Sequence, residues 1–189
     1  MRILMLGNSF TYYHDMPKML QAILGAEVVS NTKGGAWLRD HLDPQSELSP
    51  GTLKALREEK WDYVILQEQS KAPVFAKKTF HNSVRELCAL ARAAGAKPLL
   101  YATWAYRDGS EKLAETGLSY LQMDAALYES YHEAAKENDA LIADVGKAFL
   151  ALHGLAELYE DDDYHPSAAG SLVAAETIAR AIEMNEAAK

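Results

Sequence analysis

Cysteine is all but missing: the 189 residues hold one, Cys88. An internal disulfide and a cysteine-based metal cage are therefore excluded. Cys88 falls on an apolar stripe and reads as an inert buried thiol. Positive charge is also scarce, with 19 Lys and Arg against 27 Asp and Glu and a formal charge of −8. No nucleic-acid partner is expected, because phosphates need a basic face, and no anionic membrane surface either. No apolar run reaches the length that spans a bilayer. The opening run Arg2-Ile3-Leu4-Met5-Leu6-Gly7 is too short for a signal-peptide core and has no small-residue cleavage site behind it, so the cytoplasm is the expected compartment. The turn after that run carries no Gly-rich phosphate loop and no basic residue, which argues against a module built to bind nucleotides.

What is present is the make-up of a soluble globular chain, 49% apolar and 24% charged. A single domain over residues 1–189 is expected, with no linker, internal repeat or low-complexity tract. Short apolar runs at Arg2 to Leu6, Glu27 to Asn31, Tyr63 to Gln67, Pro98 to Thr103 and Leu141 to Val145 read as strands. Val64-Ile65-Leu66 and Leu99-Leu100-Tyr101 lack polar alternation, the mark of strands covered on both faces. Helical stripes lie between them: Met16, Met19, Leu20, Ile23 and Leu24, then Val84, Leu87, Cys88, Ala91 and Ala94. Two more comprise Leu118, Leu121, Ala125, Tyr128, His132 and Ala135, and Leu172, Ala175, Ile178, Ala179 and Ile182. This alternation predicts an α/β fold, a parallel sheet of about five strands with helices on both faces.

Two segments carry chemistry. Gly7-Asn8-Ser9-Phe10-Thr11 follows the first strand, which puts Ser9 at a strand's carboxyl end. Ser9 can be a nucleophile where a base removes its proton; a turn with a capping hydroxyl is the plainer reading of this segment alone. Asp15 is the expected cap of the following helix, with Pro17 in its first turn. The second segment is Asp162-Asp163-Tyr164-His165-Pro166. Pro166 suits a first helical turn, so His165 is expected at a helix entrance, neutral and able to act as a general base. Asp162, three residues upstream, can orient the ring and stabilise its cation. A solvated acidic turn and a divalent-cation site are the rival readings of this segment, but three consecutive aspartates cannot all point inward. No metal and no cofactor is expected.

Together these blocks resemble the first and last motifs of the SGNH (GDSL-like) hydrolases. Asn31-Thr32-Lys33-Gly34-Gly35-Ala36-Trp37-Leu38 is similar to that family's glycine block. Trp61-Asp62-Tyr63-Val64-Ile65-Leu66-Gln67-Glu68-Gln69-Ser70 is similar to its third-strand block, which usually ends Gly-x-Asn-Asp. The resemblance implies a three-layer α/β/α sandwich of flavodoxin-like topology. It implies Ser9 as nucleophile, His165 as base and Asp162 as its partner. The oxyanion hole would be the backbone N–H groups of Ser9 and of Gly35 or Gly34, with the amide of Gln69 or Gln67. Asn8 stands where the family has Asp, and Gln69 where it has Asn. By strand alternation Gln67 and Gln69 share a face, with Glu68 opposite.

Trp37, Trp104 and Tyr106 lie on the two long connections, so together with Gln67 they are the candidate substrate contacts, although ordinary loop anchoring explains the aromatics equally well. His132 is read as a satisfied core or interface histidine. The expected activity is hydrolysis of a short acyl, possibly acetyl, ester of a small molecule, perhaps a carbohydrate, through an acyl-enzyme. An acyltransferase with the same triad and a non-catalytic ligand-binding module of the same fold stay open.

Overall fold

The computed structural model describes residues 1–155 and 157–188. Five strands, β1 (Arg2–Gly7), β2 (Glu27–Thr32), β3 (Tyr63–Leu66), β4 (Lys97–Ala102) and β5 (Leu141–Asp144), form one parallel sheet in the order β2-β1-β3-β4-β5. Each expected strand end lies within one residue of the observed one. Continuous apolar runs buried on both faces leave little freedom in where a strand starts.

Helices fill the connections: α1 (Ser9–Tyr12), α2 (Met16–Leu24), α3 (Leu48–Glu58), α4 (Ala72–Phe75), α5 (Lys77–Ala93), α6 (Glu111–Ala114), α7 (Tyr120–Glu137), α8 (Val145–Ala151) and α9 (Ala168–Ala187). Side chains of a strand alternate between faces, and the core divides accordingly. Leu4, Leu6, Val64, Leu66 and Leu100 meet Val84, Leu87 and Cys88 of α5 and Met123, Leu127 and Tyr131 of α7. On the other face Ile3, Met5, Ile65, Leu99 and Tyr101 meet Met16 and Leu20 of α2, Phe149 of α8 and Ile178 and Ile182 of α9. The chain steps outward from β1 to β2, then returns past β1 to β3. That reversal opens a crevice at the carboxyl ends of β1 and β3, where ligands of open α/β sheets bind.

The stripe on α7 differs from expectation. Tyr120, Met123, Leu127, Tyr131 and Ala134 are buried, whereas Leu121 is 64% and Tyr128 41% exposed. The helix offers two apolar stripes. A capping box at Ser119 and Gln122 fixes its start, and the face with the larger unbroken side chains goes inward. His132 consequently sits outside the core, paired with Asp144 at 2.7 Å. On α9, Leu172 is 43% exposed, while Ser171 and Ala174 go inward with Ala175 and Ile178. The small residues let α9 pack closely. A Cβ at Gly170 would fall on the Leu158 carbonyl oxygen and 3.0 Å from Phe149 Cζ.

Gly170→Ala is therefore expected to lower stability by roughly 1–3 kcal/mol through overpacking, measured by urea denaturation. An unchanged midpoint would show that this contact yields freely.

Candidate active site

Gly7 ends β1, and the chain turns at once into the short helix α1 with Ser9 as its first residue. Asn8 caps that turn, its Oδ1 accepting the Phe10 N–H at 3.0 Å and its Nδ2 donating to the Ala36 carbonyl at 2.9 Å. Asn in place of the family's Asp thus adds a donor that ties the Ser9 turn to the glycine turn. The chain reaches Ala36 through Lys33-Gly34-Gly35-Ala36, closed by a 3.1 Å bond from Ala36 N–H to the Lys33 carbonyl. Gly35 has φ +71°, a left-handed conformation that favours glycine.

Residues from the far end of the sequence complete the constellation. The ring nitrogen Nε2 of His165 lies 2.7 Å from Ser9 Oγ, and Nδ1 lies 2.6 Å from Asp162 Oδ2. Asp162 Oδ1 accepts the backbone N–H groups of His165 and Tyr164 at 3.0 and 3.3 Å. Burial works to raise the Asp162 pKa, but its hydrogen bonds with His165 and Tyr164 outweigh that and hold it below the ordinary carboxylate value. An ionised Asp162 requires the proton on Nδ1, which leaves Nε2 as the acceptor facing Ser9. Asp163 has φ +69° and turns the opposite way, its Oδ1 2.8 Å from Arg107 Nε. Arg107 also donates to the carbonyls of Tyr159 and Glu160, pinning the loop that carries His165. α9 begins only at Ala168, capped by Ser167, so Pro166 precedes the helix instead of occupying its first turn. The loop and Arg107, not a helix end, hold His165. Among the described residues no group of three His, Cys, Asp or Glu side chains is gathered to hold a metal ion.

Ser9 and His165 open into a cavity of about 330 Å³ lined also by Tyr12, Tyr13, Gly34, Gly35, Gln69, Ser70 and Tyr164. Gln69 Oε1 accepts the N–H groups of Lys71 and Ala72, each at 3.1 Å, which fixes the amide and leaves Nε2 near Ser70 Oγ at 3.3 Å. Gln67 goes elsewhere. Extended pairing stops at Leu66, so alternation no longer applies, and Gln67 is completely buried. Its Oε1 accepts the Asn8 N–H and the Thr11 hydroxyl, each at 2.9 Å, and its Nε2 donates to the Glu68 carbonyl. It shapes the Ser9 turn and makes no wall of the cavity.

The expected aromatic walls are displaced as well. Trp104 is completely buried between Phe10 and Phe149, stacked at 4.6 and 4.1 Å, with its indole N–H on the Tyr164 carbonyl. Tyr106 is buried behind Ser70, their hydroxyls 2.7 Å apart. Trp37 lies under the Arg39 guanidinium and away from the cavity. The aromatics that do line it, Phe10, Tyr12, Tyr13 and Tyr164, lie within the two motifs or beside them; their clustering around Ser9 and His165 was the available signal. Asp15 sits at the start of α2 with φ +56° and makes no capping bond, pairing with Lys18 instead.

Glu68, expected on a face opposite Gln67, is completely buried too. Its Oε1 accepts Leu38 N–H at 3.1 Å and Gln69 N–H at 2.7 Å, joining the glycine segment to the Gln69 segment. Burial pushes its pKa up to about 7. Nearby His41, also buried, is pushed down to about 4 by the same cause.

The comparisons with known proteins fit this geometry. A parallel α/β/α sandwich with a serine–imidazole–carboxylate chain at its switch point has the architecture of a hydrolase. A solved protein from Slackia heliotrinireducens assigned to the SGNH hydrolases is 44% identical, with a TM-score of 0.92 over 96% of this chain and 98% of its own. A DUF4886 family protein from Bacteroides uniformis superposes with a TM-score of 0.73 at 19% identity, over 96% and 82% of the two chains. Axe2, an acetylxylan esterase from Geobacillus stearothermophilus, does so with a TM-score of 0.69 at 18% identity, over 96% and 93%; these two share the fold. No family model and no curated protein matches. The chain belongs to the SGNH hydrolases, and with them to the hydrolases of ester bonds.

The unfolded chain ionises Glu68 near 4.5 and the folded one near 7. Its contribution to stability is complete below pH 4.5 and falls by roughly 3 kcal/mol as pH rises through 7. His41 has the opposite sign, contributing fully above 6.5 and losing it as pH falls toward 4. Glu68→Gln should therefore gain roughly 3 kcal/mol relative to wild type between pH 4 and pH 8, whatever its constant offset. Urea denaturation at the two pH values measures this; parallel shifts of both proteins would count against it.

Proposed function

We propose that the protein is a serine esterase that removes a short acyl group, acetyl by preference, from a carbohydrate ester. The observation that carries this reading is the unbroken hydrogen-bond chain from Asp162 through His165 to Ser9, opening into the cavity. Ser9 Oγ attacks the ester carbonyl carbon while His165 Nε2 takes its proton. Asp162 keeps the ring in the required tautomer and stabilises the imidazolium. The oxyanion meets the N–H groups of Ser9 and Gly35 and the Nε2 amide of Gln69. When the carbon–oxygen bond of the ester breaks, His165 returns the proton to the leaving alkoxide. Water, deprotonated by the same imidazole, then releases the acid and regenerates Ser9.

The cavity supports this choice of substrate class. It is small and mixed in polarity, with no apolar chamber for a long chain. Its wall includes Tyr12 and Tyr164, flat rings of the kind on which sugars rest. The shared fold with an acetylxylan esterase supports the same choice. A small ester and no macromolecular partner suit the acidic charge balance, and an enzyme acting within the cytoplasm is consistent with the sequence.

Ser9→Ala should abolish p-nitrophenyl acetate turnover and covalent labelling by a fluorophosphonate, with the circular dichroism spectrum retained. His165→Ala should cost several powers of ten in kcat, and Asp162→Asn up to about 10⁴-fold. Asp163→Asn should cost little; the reverse order would assign the wrong aspartate. Gln69→Ala should lower kcat on p-nitrophenyl acetate by roughly 10²-fold. Acetylated sugars should be cleaved in preference to octanoyl esters, and preference for the long chain would remove the proposed substrate class.

A further inference from the structure

The ring of Tyr13 lies parallel to the His165 imidazole, 2° between planes and 4.2 Å between centroids. Tyr164 approaches the same imidazole at 4.1 Å and 39°, and Phe10 edge-on at 5.6 Å. The backbone that delivers Tyr13 is unusual. His14 and Asp15, consecutive and neither a glycine, have φ of +51° and +56°. Left-handed pairs of this kind are uncommon and cost conformational energy, so the surroundings must hold them. Three contacts do so. His14 Nε2 lies 2.7 Å from Glu160 Oε1, on the loop that carries Asp162. Asp15 is paired with Lys18, and Met16 is completely buried. The kink thus folds residue 13 back over the imidazole, and His14 ties it to the loop beneath.

We propose that Tyr13 is a positioning residue for His165, clamping the imidazole by its aromatic face and favouring the imidazolium that forms during the reaction. The proposal rests on the reading of His165 as general base. An aromatic face attracts a cation, most strongly where water is excluded. It also blocks ring rotation that would break the bonds to Ser9 and Asp162. The other charged or titratable groups around this imidazole are Asp162 and Glu160 on its own loop, Tyr164 beside it, and His14 on the kink. Lys112 of α6 lies 5.5 Å from the Tyr164 ring. Burial, together with the Asp162 charge, raises the Tyr13 phenol, so it stays neutral over the working range. The function required of Tyr13 is therefore that of a ring, not of a hydroxyl.

Tyr13→Phe and Tyr13→Leu separate the two. Both are compared with wild type for kcat and KM on p-nitrophenyl acetate, and the His165 imidazole is titrated by NMR. Tyr13→Phe should keep kcat within about twofold and leave the His165 midpoint in place. Tyr13→Leu should lower kcat by about tenfold, with KM changing less, and should move the His165 midpoint downward. The proposal is overturned by Tyr13→Leu retaining wild-type kcat, by a loss confined to KM, or by Phe losing as much as Leu. It is also overturned by a lowered kcat with an unmoved His165 midpoint, since a merely disturbed loop would produce that. Failure of the esterase reading looks different: Ser9→Ala would stay active whatever the Tyr13 variants do.

Discussion

A single hydrogen bond, from Ser9 Oγ to His165 Nε2, joins residues 156 positions apart. It depends on the parallel sheet. Because β1 lies between β2 and β3 and its outgoing chain leaves toward β2, the end of β1 faces the crevice where the order reverses. Because α9 returns along α2 and β5 on one face, the loop before it is carried to the same crevice. The serine and the imidazole are supplied by opposite ends of the sequence and meet through the packing of everything between them.

Around that bond, buried polar groups do work that apolar packing cannot. The Gln67 amide holds the Ser9 turn from beneath, and a Cβ on Gly7 would lie 2.6 Å from its Oε1. Gly7 is therefore needed for space. Glu68 bridges the segments bearing Gly35 and Gln69 through one carboxylate oxygen. Arg107 anchors the His165 loop through carbonyls and Asp163. Each segment lining the cavity is thus fastened from behind by a polar side chain. Hydrogen bonds of this kind fix geometry in a low-dielectric interior.

The sheet was legible because its signal is local: Val64-Ile65-Leu66 and Leu99-Leu100-Tyr101 are apolar throughout, and such runs bury both faces. Ser9, Asp162 and His165 were legible because motif and topology agree on one edge. Features set by competition among tertiary contacts were not. The stripe through Leu121 and Tyr128 reads as the buried face of α7, but packing against α4, α5, α8 and the sheet turns the stripe through Met123, Leu127 and Tyr131 inward. Trp104 on a long connection reads as a pocket wall until Phe10 and Phe149 are seen to enclose it. Gln67 and Gln69 were separable only once the strand was known to end at Leu66. The positive φ of His14 and Asp15 had no sequence signal, since neither residue is glycine.

The distance in sequence between Ser9 and His165 has a consequence for biosynthesis. Ser9 leaves the ribosome well before its partner, because the imidazole that bonds it is translated 156 residues later. Throughout elongation the nascent chain carries that hydroxyl without this partner. The pair forms only after the loop that carries His165, just ahead of α9, has been made.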